Sequence, residues 1–247
     1  MQSVYANDSG GFDKDLFFEK VHSSQFFNEY KTQMISDQPI LVKDYLDENR
    51  EKAGYIAQYE IEMATEEVVN TSDGNNEMSL KTTITSLLTF LYNQEKGVME
   101  VLLIDYSSIE KNGNIYLKNL TNNDTRAMSV EDSENEELQQ MQKEMDTKKE
   151  EVVLDAEREL LSSKKSKEVD ALRYQCNYWQ CTEHETGGGN YHGDCAMLAG
   201  SACTFISRVA PVGSLICVGV NLIGCYVPKY KICVDGFWST NYCPIQA

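Results

Sequence analysis

The chain has 247 residues, with 22 Lys and Arg against 39 Asp and Glu and a formal net charge of -17. That length allows two cores, and the acidity repels phosphate and anionic lipid, which argues against nucleic acid as a partner. The charge is uneven, at -10 over residues 1–128, -6 over 129–173 and -1 over 174–247, so only the last segment is neutral enough to approach a membrane.

The chain begins MQSVYANDSG, with no basic n-region and no apolar h-region. Val4-Tyr5-Ala6 resembles the small-x-small end of a cleaved signal peptide, so the expectation is a secreted protein whose signal is absent or removed; an ordinary polar N-terminus is the alternative. From Asp13 to Met34, Leu16, Phe17, Val21, Phe27, Tyr30 and Met34 recur at three- and four-residue spacing. The pattern predicts one amphipathic helix.

Tyr55, Ala57, Tyr59, Ile61 and Met63 alternate with polar neighbours, the period of a half-buried strand. Lys81 to Tyr92, Val98 to Tyr106 and Asn114 to Leu120 are further β-rich runs, the last entered through the Asn112-Gly113 turn signal. These elements predict an α+β domain over residues 1–128, a four-stranded antiparallel meander with the first helix on one face.

Residues 129–173 turn to Glu, Lys, Gln and Met, without Gly or Pro between Glu131 and Arg173. Leu138, Met141, Met145, Val152, Ala156 and Leu160 form a narrow stripe that predicts a long helix. Glu144 and Lys148 make a supporting i,i+4 pair, and so charged a run is otherwise read as a solvated connection. Ser162 to Lys167 lacks the stripe and reads as exposed linker. Lys164, Lys165, Lys167 and Arg173 mark it as the cleavage region for a trypsin-like processing protease.

All eight cysteines, Cys176, Cys181, Cys195, Cys203, Cys217, Cys225, Cys233 and Cys243, lie in the last 72 residues. An even count packed into a small, loop-rich segment of an exported chain reads as a disulfide framework. Cys181-x2-His184 and His192-x2-Cys195 leave a metal site open as the rival. Without paired CxxC knuckles zinc is not specified, so no metal or cofactor is expected, and His184 and His192 are read as solvated beside Gly187 to Gly189.

Cys195 and Cys203 are eight apart, as are Cys217 and Cys225, and the four are symmetric about Ala210, next to Pro211. Two residues eight apart share a helix face about 12 Å along its axis. Folding at Pro211 and Gly213 then predicts an antiparallel helical hairpin in which Cys195 meets Cys225 and Cys203 meets Cys217. Of the three pairings open to the outer cysteines, the nested Cys176 with Cys243 and Cys181 with Cys233 is preferred. Val209 to Pro228 carries no charge, but the turn divides it into arms too short for the ~20 residues of a membrane-spanning helix. Residues 174–247 are thus expected as a small disulfide-rich α-helical domain, joined to the first by a linker helix.

The 31 residues from Cys195 to Cys225, Cys-x7-Cys-x13-Cys-x7-Cys with Pro211 eighth among the thirteen, resemble the halocin C-eight family of cysteine-rich peptide bacteriocins. The resemblance implies Cys195, Cys203, Pro211, Cys217 and Cys225 as framework residues. It also implies an exported precursor, a C-terminal killing peptide and an N-terminal part that acts as immunity protein. The expected function is therefore a bacteriocin precursor whose tail is released by proteolysis, binds its own N-terminal domain through apolar surface, and acts on a target-cell membrane or envelope. The alternative is an uncleaved secreted binding or inhibitor module. An enzyme is not expected, because the sequence shows no Gly-x-Ser-x-Gly elbow, no P-loop and no paired metal knuckles.

Overall fold

The computed structural model describes residues 13–46, 51–71, 76–131, 135–166, 175–190 and 226–242. Strands β2 (Lys52–Asn70), β3 (Glu77–Asn93), β4 (Val98–Asp105) and β5 (Asn114–Asn119) make the expected antiparallel meander, with β1 (Leu41–Leu46) added beside β2 and β6 (Asp124–Ser129) beside β5. Because side chains alternate across a strand, Tyr55, Ala57, Tyr59 and Ile61 of β2, Leu88, Phe90 and Tyr92 of β3, and Val101 and Leu103 of β4 share one face. Helices α1 (Lys14–Ser23) and α2 (Gln25–Tyr30) cover it with Phe17, Val21 and Phe27.

The single helix expected over Asp13 to Met34 is broken at Ser24. That residue is extended (φ -68°, ψ 146°), and its hydroxyl accepts the Phe27 amide at 3.1 Å. A serine that caps a second helix ends the first. The break turns α2 so that Phe27 reaches Tyr59, edge to face at a centroid distance of 5.4 Å.

The other face carries Leu87 and Leu91 of β3, Leu102 and Ile104 of β4, and Ile115 and Leu117 of β5. Helix α4 (Glu136–Ser166) lies along it, with Leu138, Met141 and Met145 in that core, while Val152 and Ala156 pack on Met78, Leu80 and Trp179. All six residues of the predicted stripe are buried, so the helix is a layer of the fold rather than a solvated connection. Each large side chain buried in this way contributes roughly 1.5–3 kcal/mol. The linker expected from Ser162 starts later, since α4 continues through Lys164 and Lys165 to Ser166; Ser and Lys contain no helix breaker. Lys167 and Arg173 lie outside the described residues.

The α-helical C-terminal domain is overturned. Residues Gln175–Gly187 and Tyr230–Tyr242 are strands β7 and β8, antiparallel to each other and joined to the same sheet through β3. Their Tyr, Trp, Thr, Ile, Val and Phe content suits a pleated, half-buried surface. The cysteine spacing that suggests helices lies between 195 and 225 and says nothing about these flanks.

The Asn112-Gly113 signal is a turn of another kind. Gly113, at φ 64°, caps the short helix α3 (Ile109–Asn112) between β4 and β5, with its amide on the Ile109 carbonyl at 2.9 Å. The preceding corner is held by buried Asp105, which accepts the Ser107 amide at 2.9 Å, the Ser107 hydroxyl at 2.5 Å and Lys118 Nζ at 2.6 Å. Replacing Asp105 with Ala is expected to lower unfolding stability by about 2–3 kcal/mol. Most of that comes from the two Ser107 bonds to a charged acceptor, because Lys118 is 36% exposed and its ion pair is screened. The shift of the urea midpoint measures it, and a change within ±0.5 kcal/mol would show that the corner holds without its carboxylate.

Candidate functional site: the stapled strand pair and its seat

Long β3 divides its second edge between two partners. Leu87 to Asn93 pair with β4, and the earlier half is left to the tail: Thr82, Thr83 and Ile84 pair with Ile232, Lys231 and Tyr230 of β8, and Glu77 pairs with Tyr178 of β7. The Thr85 amide continues the ladder to the Lys229 carbonyl at 2.8 Å. Without the tail that edge would present unpaired backbone groups, which is costly when buried and invites strand addition when exposed.

Side chains of the tail enter the body beside this ladder. Tyr226, Val227, Tyr230 and Ile232, each no more than 3% exposed, lie in the core with Ile84, Leu138 and Met141. Tyr226 packs on Tyr106 at a centroid distance of 5.6 Å and donates its hydroxyl to Glu60 Oε1 at 3.0 Å. Burial, and then the Glu60 carboxylate, push its pKa far above the usual tyrosine range, so it stays a donor at any physiological pH. Trp179 faces Trp238 across the strand pair, 5.7 Å between ring centroids, and the Trp238 indole donates to the Ala156 carbonyl of α4 at 2.8 Å.

Charge contributes little to this seat. Lys148, expected to pair with Glu144 along the helix, instead meets Glu185 of β7, and Lys229 lies 3.6 Å from Glu60. Each pair has one side chain more than half exposed, which screens it to a few tenths of a kcal/mol or less.

Cys181 and Cys233 form a disulfide with their Cα atoms 6.0 Å apart, which is the nested pairing for these two. The two are not ladder partners, since Cys181 lies opposite Gly236 and Cys233 opposite His184, and the ladder is irregular between these pairs, at Glu183. His184 is exposed, with Nε2 3.6 Å from Cys181 Sγ, and a sulfur held in a disulfide is not a thiolate ligand. The bridge closes a loop of sequence separation 52, for which chain entropy gives about 4 kcal/mol. Replacing both cysteines with Ser in the oxidised chain is expected to lower stability by that amount, read from the denaturant midpoint. A loss under about 1 kcal/mol would mean that other contacts already restrict this loop in the unfolded chain.

The remaining framework positions are not brought into view. Cys195, Cys203, Cys217, Cys225 and Cys243, with Pro211 and Gly213, lie outside the described residues, and for Cys176 only the backbone, opposite Asn241, is described. The expected helical hairpin therefore falls between two described roots. Val227 donates to the Asn190 carbonyl at 2.8 Å and accepts the Gly189 amide at 3.0 Å, so residues 191–225 leave and return at one point. Gly188, at φ 68°, sits there with its α-carbon so close to the Pro228 carbonyl that a Cβ would overlap it. Asn190 Nδ2 reaches Glu137 at 3.0 Å, and Asn135 Nδ2 reaches the Tyr226 carbonyl at 3.4 Å, tying both roots to the start of α4.

The residues that seat the tail, Tyr226, Tyr230, Ile232, Trp179, Trp238 and Glu60, were not singled out from the sequence. The available signal was the buried–exposed alternation of Tyr230, Lys231 and Ile232, overshadowed by the adjacent cysteines. Among the described residues no helix is long and apolar enough to cross a membrane. No family model, characterised protein or solved structure matches this chain.

Proposed function

We propose that the chain is the secreted precursor of a disulfide-stapled antimicrobial peptide, in which residues 1–166 hold the C-terminal peptide silent until it is released. The observation that supports this reading most is the seat of the tail. Strand β8 completes an edge of β3 that β4 leaves unpaired, and Tyr226, Tyr230 and Ile232 fill the body's core. An inhibitory body needs such a complementary surface, and this one meets the tail through apolar burial and backbone pairing.

The reading assigns the killing to residues 191–225 and their uncharged run. The resemblance to halocin-type peptides rests on these residues, and their two roots are held together. Cleavage belongs to the stretch between Ser166 and Gln175, and the target is a cell membrane or envelope. Secretion fits a chain in which Cys181 and Cys233 are joined in a disulfide.

The second reading, an uncleaved binding or inhibitor module, is favoured by one feature: Gly189 and Asn190 pair with Val227, so the two ends of the 35-residue stretch 191–225 are fixed side by side, as a recognition segment requires. The mass of the secreted protein separates the two. Two fragments in culture medium, together with killing by oxidised residues 174–247, support the precursor. One uncut chain, with an inert purified tail across a panel of related cells, sinks it in favour of the module.

A further inference from the structure

Every cysteine of the chain lies at or beyond Cys176, so no disulfide can join the body to the tail. What connects them covalently is the eight residues between Ser166 and Gln175. What connects them physically is the β3–β8 ladder, the buried Tyr226, Val227, Tyr230 and Ile232, and the Trp238 bond to α4. None of these physical contacts uses the connecting residues.

We propose that cutting this connection does not release the tail. The severed tail stays seated on the edge of β3 and the face of α4 as a noncovalent complex, and its release is a separate event. The body's interaction surface is thus the Glu77-to-Thr85 half of β3 together with the Leu138-to-Ala156 stripe of α4. Its occupant is the chain's own strands β7 and β8 with residues 226–229. The inference takes only the position of the cut from the precursor reading.

A tether of this length gives the tail an effective concentration on the order of millimolar, and cutting lowers it to that of the protein itself. Near 10 μM the loss is about a hundredfold, so the complex survives if its dissociation constant is about 1 μM or tighter. That is modest for a surface combining backbone strand addition with several fully buried aromatic and aliphatic anchors. The strand addition also protects β3, whose backbone would otherwise be bared as the tail left.

The test uses the full oxidised chain with a specific protease site substituted within residues 167–172. After complete cutting, verified as two bands on a denaturing gel without reductant, the protein is examined at about 10 μM by size exclusion and native mass spectrometry. The expected result is one particle of the uncut chain's mass, 28.0 kDa within the site change, with unaltered tryptophan emission, since Trp179 and Trp238 are the chain's two tryptophans. Separation into two species without denaturant overturns the inference. In the cut background, Ile232→Glu is expected to separate the fragments, and Trp238→Ala to weaken association by about tenfold. Trp238→Ala serves if Ile232→Glu fails to fold. Exposed Phe237→Ala should leave association unchanged. Fragments that hold together equally well with Trp238→Ala would place the surface elsewhere. A complex that survives cutting while the isolated tail kills nothing leaves this inference standing and refutes the precursor reading.

Discussion

Oxidised residues 174–247 are expected to kill sensitive cells at about one thousandth of the concentration at which the full chain kills them. The figure follows from the tether: an effective concentration on the order of 1 mM against a dissociation constant of about 1 μM leaves roughly one tail in a thousand unseated. Because Tyr226, Tyr230 and Ile232 are buried in the body, a seated tail has residues 191–225 anchored to the body at both ends, which a free tail does not. Dose-response curves on one strain measure the ratio. Adding the purified full chain to the free tail should change nothing, because its seat is already filled. Equal potency of tail and full chain would mean that the seat does not inhibit.

The meander and the long helix were legible because their patterns are local and strong. Tyr55 to Ile61 alternate on a face that α1 and α2 cover, and Leu138 to Leu160 repeat at helical spacing because the sheet face they meet is continuous. β6 gives no such signal: all six of its residues are exposed or half-buried, and only pairing with β5 makes it a strand. The break at Ser24 is hidden because apolar residues lie on both sides of it at helix-like spacing, and spacing alone does not reveal a cap.

The tail was misread for a different reason. The cysteine spacing carries a definite geometry between 195 and 225, and that geometry was extended to flanks with their own signal. Trp179 and Trp238 lie opposite each other across β7 and β8, a pairing of residues 59 apart in the chain that no local spacing reveals. No short-range pattern shows that β3, already paired with β2 along its length and with β4 over half of it, has an edge left to give. The Cys181–Cys233 bridge belongs to one of the three pairings that the sequence leaves open, and the strand pair selects it whether or not the intervening residues are helical.

Replacing Ala156 with Arg is expected to make the full chain kill about a hundredfold better while leaving every residue of the tail unchanged. Ala156 is fully buried between Met78, Leu80, Val152 and Trp179, and its carbonyl takes the Trp238 indole. A guanidinium there has neither the room nor a partner; overpacking alone costs about 1–3 kcal/mol, and desolvating the charge adds to it. The strain should fall on the β7–β8 contact, because α4 is held at its other end by Leu138, Met141 and Met145 and the meander is closed on its far face by α1 and α2. A loss of about 3 kcal/mol in seating is about a hundredfold in the population of unseated tail, which raises the unseated fraction from roughly one in a thousand to one in ten. Since both tryptophans lie at this contact, their emission should shift to the red in parallel with the gain in killing. Leu154→Arg, on the exposed side of the same helix, should shift neither. If the Ala156 variant reddens yet stays as silent as the parent, loosening this end of the seat does not free the peptide, and inhibition lies with the Tyr226 to Ile232 end alone.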